Sequence, residues 1–227
     1  VIEIIKEAIR GEHDLVIKAA SGNKTLKDHL FGNIAVKLLR KCPCPVLIIK
    51  PSEVISFKKI LAPVDPKTVS EETTKTSEHE DLICRKVMDI SIFMARMENS
   101  HLDIFHCWFL PGETLLASGR TRIAPDKLNQ MKMLAEKIHN QRINTLAAEY
   151  DLSDIRHSVV VRKGDPGEMI VDYADKNGTD LIVMGTIGRS GLSGLLIGST
   201  AEKVIDQVNC SVLTIKPANF KSPITIV

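Results

Sequence analysis

The sequence predicts an α/β protein: an open, parallel five-stranded sheet with helices on both faces, preceded by an incomplete copy of the same unit. Three observations predict it. From Lys58 onward, short apolar runs alternate with amphipathic helical patterns in the order β-α-β-α-β-α-β-α-β, which requires crossover connections and hence parallel strands buried on both faces. The apolar run Asp180-Leu-Ile-Val-Met-Gly185 ends in a glycine-spaced loop that feeds another helical pattern. The opening of the chain also repeats its end. A shift of 166 residues, without a gap, matches 16 of 51 positions, among them Asp14 with Asp180, Gly22 with Gly188, Gly32 with Gly198, Cys44 with Cys210 and Lys50-Pro51 with Lys216-Pro217.

The front copy supplies a helix over 1–10, a strand over 14–18, a helix over about 32–40 and a strand over 45–50. Its first three strands are absent from the sequence. Val1 opens directly into helical periodicity, so the chain reads as a fragment or a processed product. The second copy is complete. Lys58 to Asp65 is a short apolar strand, 66–80 a polar loop, and Leu82 to Met97 carries helical spacing through Val87, Ile90 and Met94. A strand from Leu102 to Trp108 follows, then a long connection over 109–125 that Trp108 packs beneath. Asp126 is placed to cap the helix carrying Leu128, Met131, Leu134, Ile138 and Leu146. After a strand over 155–161, Gly164-Asp165-Pro166 turns into a helix that Asn177-Gly178 ends. Strands over 181–185 and 211–216 flank a helix from Ser199 to about Val208. Domain boundaries of 1–52 and 57–218 follow.

Composition narrows the function classes. Charged residues make up 26% of the 227 and hydrophobic ones 44%, as in a soluble globular protein. A formal charge of +2 steers toward neither nucleic acid nor membrane, and no apolar run approaches the roughly 20 residues of a membrane span. Five cysteines fit reduced thiols in a cytoplasmic protein better than a disulfide framework.

The glycine loop carries the chemistry. A strand, a glycine loop and a helix start in that order make an anion cradle, because glycines admit backbone N–H groups to the anion and the helix start offers unpaired donors with a favourable dipole. Gly185, Gly188 and Gly198 with Ser199 and Thr200 have the spacing G-x-x-G, nine residues, G-[ST]. The hydroxyls stand where a helix is capped. Arg189 can pair with phosphates, and Gly191 and Gly194 loosen the loop. Asp65 also ends a strand at its carboxyl end, where open parallel sheets bind ligands; its bland role is to start a turn with Pro66.

This pattern resembles the ATP-binding signature of the universal stress protein family, and the resemblance covers Lys58 to Pro217, with the front copy making it a tandem type. It implies a Rossmann-like fold of the adenine nucleotide alpha hydrolase kind, and ATP (or ADP or AMP), with Mg²⁺ and Asp65 as a possible ligand to it. It further implies an adenine pocket bordered by Pro63, Val64, Asp65, the backbone near Cys107, and Met184. It also implies association through the last strands, as a homodimer or a tandem pseudo-dimer. Pro66 departs from the pattern by removing a backbone donor.

Other readings of the same residues are structural. Cys107 lacks a His/Asp constellation and reads as packing. Cys42-Pro43-Cys44 lacks a second ligand pair for zinc, and the remaining histidines (His13, His29, His79, His101, His139, His157) show no ligand spacing. The front loop has Ala19 in place of Gly185 and Asn33 in place of Ser199, so no nucleotide is expected there. No catalytic residue is assigned, and any ATP hydrolysis should be slow. An adenylating ligase is disfavoured because Val64-Asp65-Pro66-Lys67 follows the first strand instead of a glycine/serine loop. The alternative is an interaction module that binds lipid or protein partners.

Overall fold

The computed structural model describes residues 1–20, 32–51, 56–66, 75–118, 123–186, 197–217 and 220–226. The front copy contributes α1 (Ile2–Arg10), β1 (Val16–Ala19), α2 (Gly32–Lys41) and β2 (Val46–Ile49). The second contributes β3 (Lys59–Pro63), α3 (Lys75–Glu98), β4 (His101–Trp108), α4 (Glu113–Ser118), α5 (Pro125–Ala148), β5 (Arg156–Lys163), α6 (Pro166–Asn177), β6 (Leu181–Gly185), α7 (Ser199–Gln207) and β7 (Ser211–Ile215).

All the described strands form one seven-stranded sheet in the order β1-β2-β7-β6-β3-β4-β5. The five strands of the second copy are mutually parallel, as alternating strands and helices demand. The two copies join through their last strands, with β2 antiparallel to β7 and Leu47 opposite Leu213. The stretch from Cys210 to Lys216 reads in isolation as an apolar edge strand. The structure buries it instead: β7 lies between β2 and β6, and every residue from Ser211 to Ile215 is buried. An apolar strand with an open backbone edge is stabilised by pairing and cover, and the front copy supplies both.

Strand side chains alternate between two cores. On one face Leu61, Phe105, Ile182, Met184 and Val212 pack with Ile5, Leu38 and Leu39 of the front helices and with Ile170, Val204 and Ile205 of α6 and α7. On the other, Ile60, Leu102, Ile104, Leu181 and Val183 pack with Val87, Met88 and Ile92 of α3 and Ile143 and Leu146 of α5. Arg40 of α2 and Glu202 of α7 form an ion pair between the copies. Asp180 braces the amino-terminal edge of the sheet, its Oδ2 accepting from the backbone N–H groups of Lys58 and Lys59, each at 2.9 Å.

Local expectations differ from the structure in several places. The polar stretch ending at residue 80 is helical from Lys75, since Lys and Glu are good helix formers even without apolar spacing. The 109–125 connection contains the exposed helix α4, too short to show a periodicity. Asp126 does not cap α5: Ala124 is the N-cap without a side-chain bond, and Pro125, with its preset φ and missing N–H, begins the helix. Asp165 does cap α6, accepting from the Glu168 N–H, and Gly178 ends that helix in the left-handed conformation with φ 62°.

Candidate functional site at the β3–β6 switch point

From β3 the chain winds outward through β4 to β5, then returns to the other side of β3 with β6 and β7. The winding therefore reverses between β3 and β6, and ligands of open α/β sheets bind beyond the strand ends at such a point. β3 pairs with β6 through Ile60–Leu181 and Leu61–Ile182. Continuing that register sets Pro63 beside Met184, so the segment Val64-Asp65 and the segment Gly185-Thr186 leave the sheet side by side.

The β6 side is a clasped loop. The Gly198 N–H donates to the Thr186 carbonyl at 2.7 Å, drawing the two ends of the loop together, and the Thr186 N–H donates to Ile215 at 3.2 Å. Gly188, Arg189, Gly191 and Gly194 lie outside the described residues. Beyond the clasp, Gly198 is the N-cap of α7 and carries no side-chain cap. This corrects the assignment of the Ser199 and Thr200 hydroxyls as caps, since those residues occupy the first helical turn. The ladder begins with the Glu202 N–H donating to the Gly198 carbonyl. The N–H groups of Ser199, Thr200 and Ala201 are thus left without intrahelical acceptors, at the positive end of the helix dipole.

On the β3 side, Val64 is buried and its N–H donates to the Phe105 carbonyl at 2.8 Å. Asp65 is exposed, with Oδ1 3.8 Å from Nδ1 of the buried His106. His106 Nδ1 lies 3.0 Å from the Val64 carbonyl, and its Nε2 lies 2.8 Å from His139 Nδ1. A carbonyl only accepts, so His106 donates from Nδ1, and in its neutral form it accepts at Nε2 from the His139 N–H. The pair pins the end of β3 to α5. Sequence spacing gave no sign of it, because the partners lie on a strand and a helix 33 positions apart. Trp108 belongs to the same stack, its ring 5.7 Å from His139 of α5 and tilted by 16°.

Of the two further site residues, Met184 is buried and Cys107 half-buried. Met184 is 4% exposed and packs in the α6–α7 core. Burial pushes the Cys107 thiol up to about 12, with Asp165 and Asp65 adding to the shift, so it stays protonated near neutrality. Gly185 has a packing role: a Cβ there would sit 2.6 Å from Ile83 Cγ2 on α3. That methyl belongs to a stiff β-branched side chain. Gly185→Ala should therefore destabilise the fold by about 1–2 kcal/mol through overpacking. Adding Ile83→Ala should reduce the effect of the glycine change, a coupling read from a double-mutant cycle in urea; independent effects would show that the contact relaxes freely.

Behind the clasp lies a feature absent from the sequence reading. Lys216, 5% exposed, donates from Nζ to the Leu39 carbonyl at 2.6 Å and to Thr186 Oγ1 at 2.7 Å. Burial pulls its ammonium down to about 8. Lys216 therefore ties the front copy's α2 to the first residue of the glycine loop. Among the described residues, no three of His, Cys, Asp and Glu converge to hold a metal ion, and no helix is long and apolar enough to cross a membrane.

The fold and this site define a doubly wound α/β protein with a glycine-flanked loop and an open helix N-terminus at its switch point. The chain belongs to the universal stress protein family, whose sequence model (Usp) matches residues 1–50 and 56–216. It is 32% identical over 225 residues to universal stress protein E of Salmonella typhi, covering 98% of this chain and 67% of that protein. With its Escherichia coli K12 counterpart the identity is 31% over the same length and shares. A solved protein from Pseudomonas aeruginosa PAO1 superimposes with a TM-score of 0.72 at 25% identity, covering 96% of this chain and 68% of that one. The chain thus spans about two thirds of the length of these relatives.

Proposed function

We propose that this chain is a cytoplasmic, regulatory universal stress protein that binds ATP, or ADP or AMP, at the β3–β6 switch point. The observation that carries the reading is the convergence of Asp65, Gly185 and the open first turn of α7 where the winding reverses. In this reading the N–H groups of Ser199 and Thr200, with the Gly198 backbone, hold the phosphates. Gly188 and Arg189 join them on sequence grounds. Pro63, Val64 and Met184 border the adenine, and the Cys107 backbone faces its edge, since residues two apart on a strand direct their backbone groups to the same side and Phe105 already bonds the β3 segment. Mg²⁺ would take Asp65 and draw its other ligands from phosphate and water.

The site offers a binding role more readily than rapid chemistry. A protonated Cys107 is no nucleophile, and Asp65 serves equally as a metal ligand, so turnover is expected to be slow at most. On the same reading, residues 1–52 are the degenerate C-terminal half of one family domain and 57–218 a complete one, held as a tandem pseudo-dimer by the β2–β7 pairing. Mass spectrometry of ligand released from the purified chain, followed by calorimetry with ATP and Mg²⁺, tests the proposal. Recovery of an adenine nucleotide and saturable ATP binding support it; a released fatty acid, or no heat with ATP, sinks it in favour of an interaction module.

A further inference from the structure

The two thiols of the front copy are in contact. Cys42 follows the last turn of α2, Cys44 precedes β2, and their Sγ atoms lie 3.4 Å apart. Cys42 is fully buried and Cys44 half-buried. The internal repeat isolates what is unusual: Cys44 corresponds to Cys210, but Cys42 corresponds to Val208, a buried aliphatic residue at the end of α7. Packing at this position is served by valine in the second copy, so the second thiol adds something that packing does not require.

We propose that Cys42 and Cys44 form a reversible dithiol–disulfide site whose co-reactant is a low-molecular-weight disulfide such as oxidised glutathione. Cys44 is the attacking group, being the accessible member of the pair. With the more deeply buried Cys42 thiol donating across the 3.4 Å contact, the Cys44 thiol is lowered from its ordinary value against the opposing effect of its own partial burial. The Cys44 thiolate attacks one sulfur of the small disulfide, forming a mixed disulfide and expelling one thiolate, which takes up the Cys42 proton. The Cys42 thiolate, with the Lys216 ammonium nearby to stabilise it, then attacks the Cys44 sulfur and expels the second small thiolate. Two protein thiols are oxidised by two electrons, and one small disulfide is reduced to two thiols.

A disulfide is about 2.05 Å long, so the pair needs to close by roughly 1.4 Å. The ring formed across a single proline is small and conformationally restricted, which favours ready reduction over a permanent cross-link. Selectivity follows from the other cysteines. Cys107 and Cys210 are held near 12 by burial. Their smaller thiolate fraction outweighs their greater intrinsic nucleophilicity, leaving Cys44 the faster thiol near neutral pH.

The test is oxidised glutathione added to the native chain, followed by alkylation and peptide mapping without reductant. The free thiol count should fall from five by two, with Cys42 and Cys44 joined and the change reversed by dithiothreitol. Cys42→Ser should trap glutathione on Cys44, and Cys44→Ser should leave Cys42 unmodified. If Cys42→Ser fails to fold, Cys42→Val supplies the same trap with the residue of the second copy. Earlier modification of Cys84, Cys107 or Cys210, or a wild-type glutathione adduct on Cys44 that never resolves onto Cys42, overturns the proposal. Neither result depends on nucleotide binding.

Discussion

Gly198→Leu should weaken ATP binding by at least about 100-fold in calorimetry while leaving the melting temperature within about 3 °C of wild type. Gly198 sits at φ −64° and ψ 147°, a region open to any L residue, so the substitution imposes no backbone strain. In the proposed binding mode its side chain would instead crowd a phosphate at the first turn of α7. N–H groups donating to a charged acceptor contribute about 1.5–3 kcal/mol each. Loss of one or two of them corresponds to the stated range, since about 2.7 kcal/mol is 100-fold. Gly22→Ala, in the front copy's loop at the position matching Gly188, should leave ATP affinity unchanged. An unaltered affinity in Gly198→Leu would remove α7 from the site, and a comparable loss in Gly22→Ala would place a second site in the front loop.

The second large effect concerns Lys216 and pH. Its folded value lies near 8, below the ordinary 10.5, because burial penalises the ammonium. Between these values the unfolded chain holds a proton that the folded chain has released, so raising the pH favours folding. The group thus disfavours the folded state most below about pH 8, and that penalty is relieved as pH rises toward 10.5. Over the whole window the change amounts to about 3 kcal/mol, about 2 of which fall between pH 7 and pH 9.5. Urea unfolding of wild type and Lys216→Met across that range isolates the effect, because the other titrating groups cancel in the difference. Wild type should gain about 2 kcal/mol relative to the variant; a flat difference would mean that the ammonium is solvated.

Much of the fold is legible in the chain because burial imposes periodicity. β6 and β7 read as short continuous apolar runs, and both prove buried on each face. The end of α6 is marked by Gly178, whose left-handed backbone suits glycine. Elements with weak signals were less visible: α4 is too short and exposed to show a pattern, and the first turns of α3 are polar. The candidate site divides in the same way. Gly185, Gly198 and Asp65 announce themselves at strand and helix ends, whereas His106–His139 and Lys216–Thr186 are contacts between segments distant in the chain.

The sequence by itself determined the alternation of strands and helices, the duplication and the position of the glycine loop, because each depends on local spacing or on self-similarity. Tertiary structure decided which strand ends meet. The reversal of winding between β3 and β6 set the ends of these two strands, with Asp65 following one and Gly185 closing the other, side by side, and the antiparallel joining of β2 to β7 brought α2 close enough for Lys216 to bridge it to Thr186. Pairing order depends on how all the apolar faces are covered at once, so a linear pattern does not carry it. The same packing brought two thiols into contact at the end of α2, turning a short cysteine motif that holds no metal signature into a candidate redox pair.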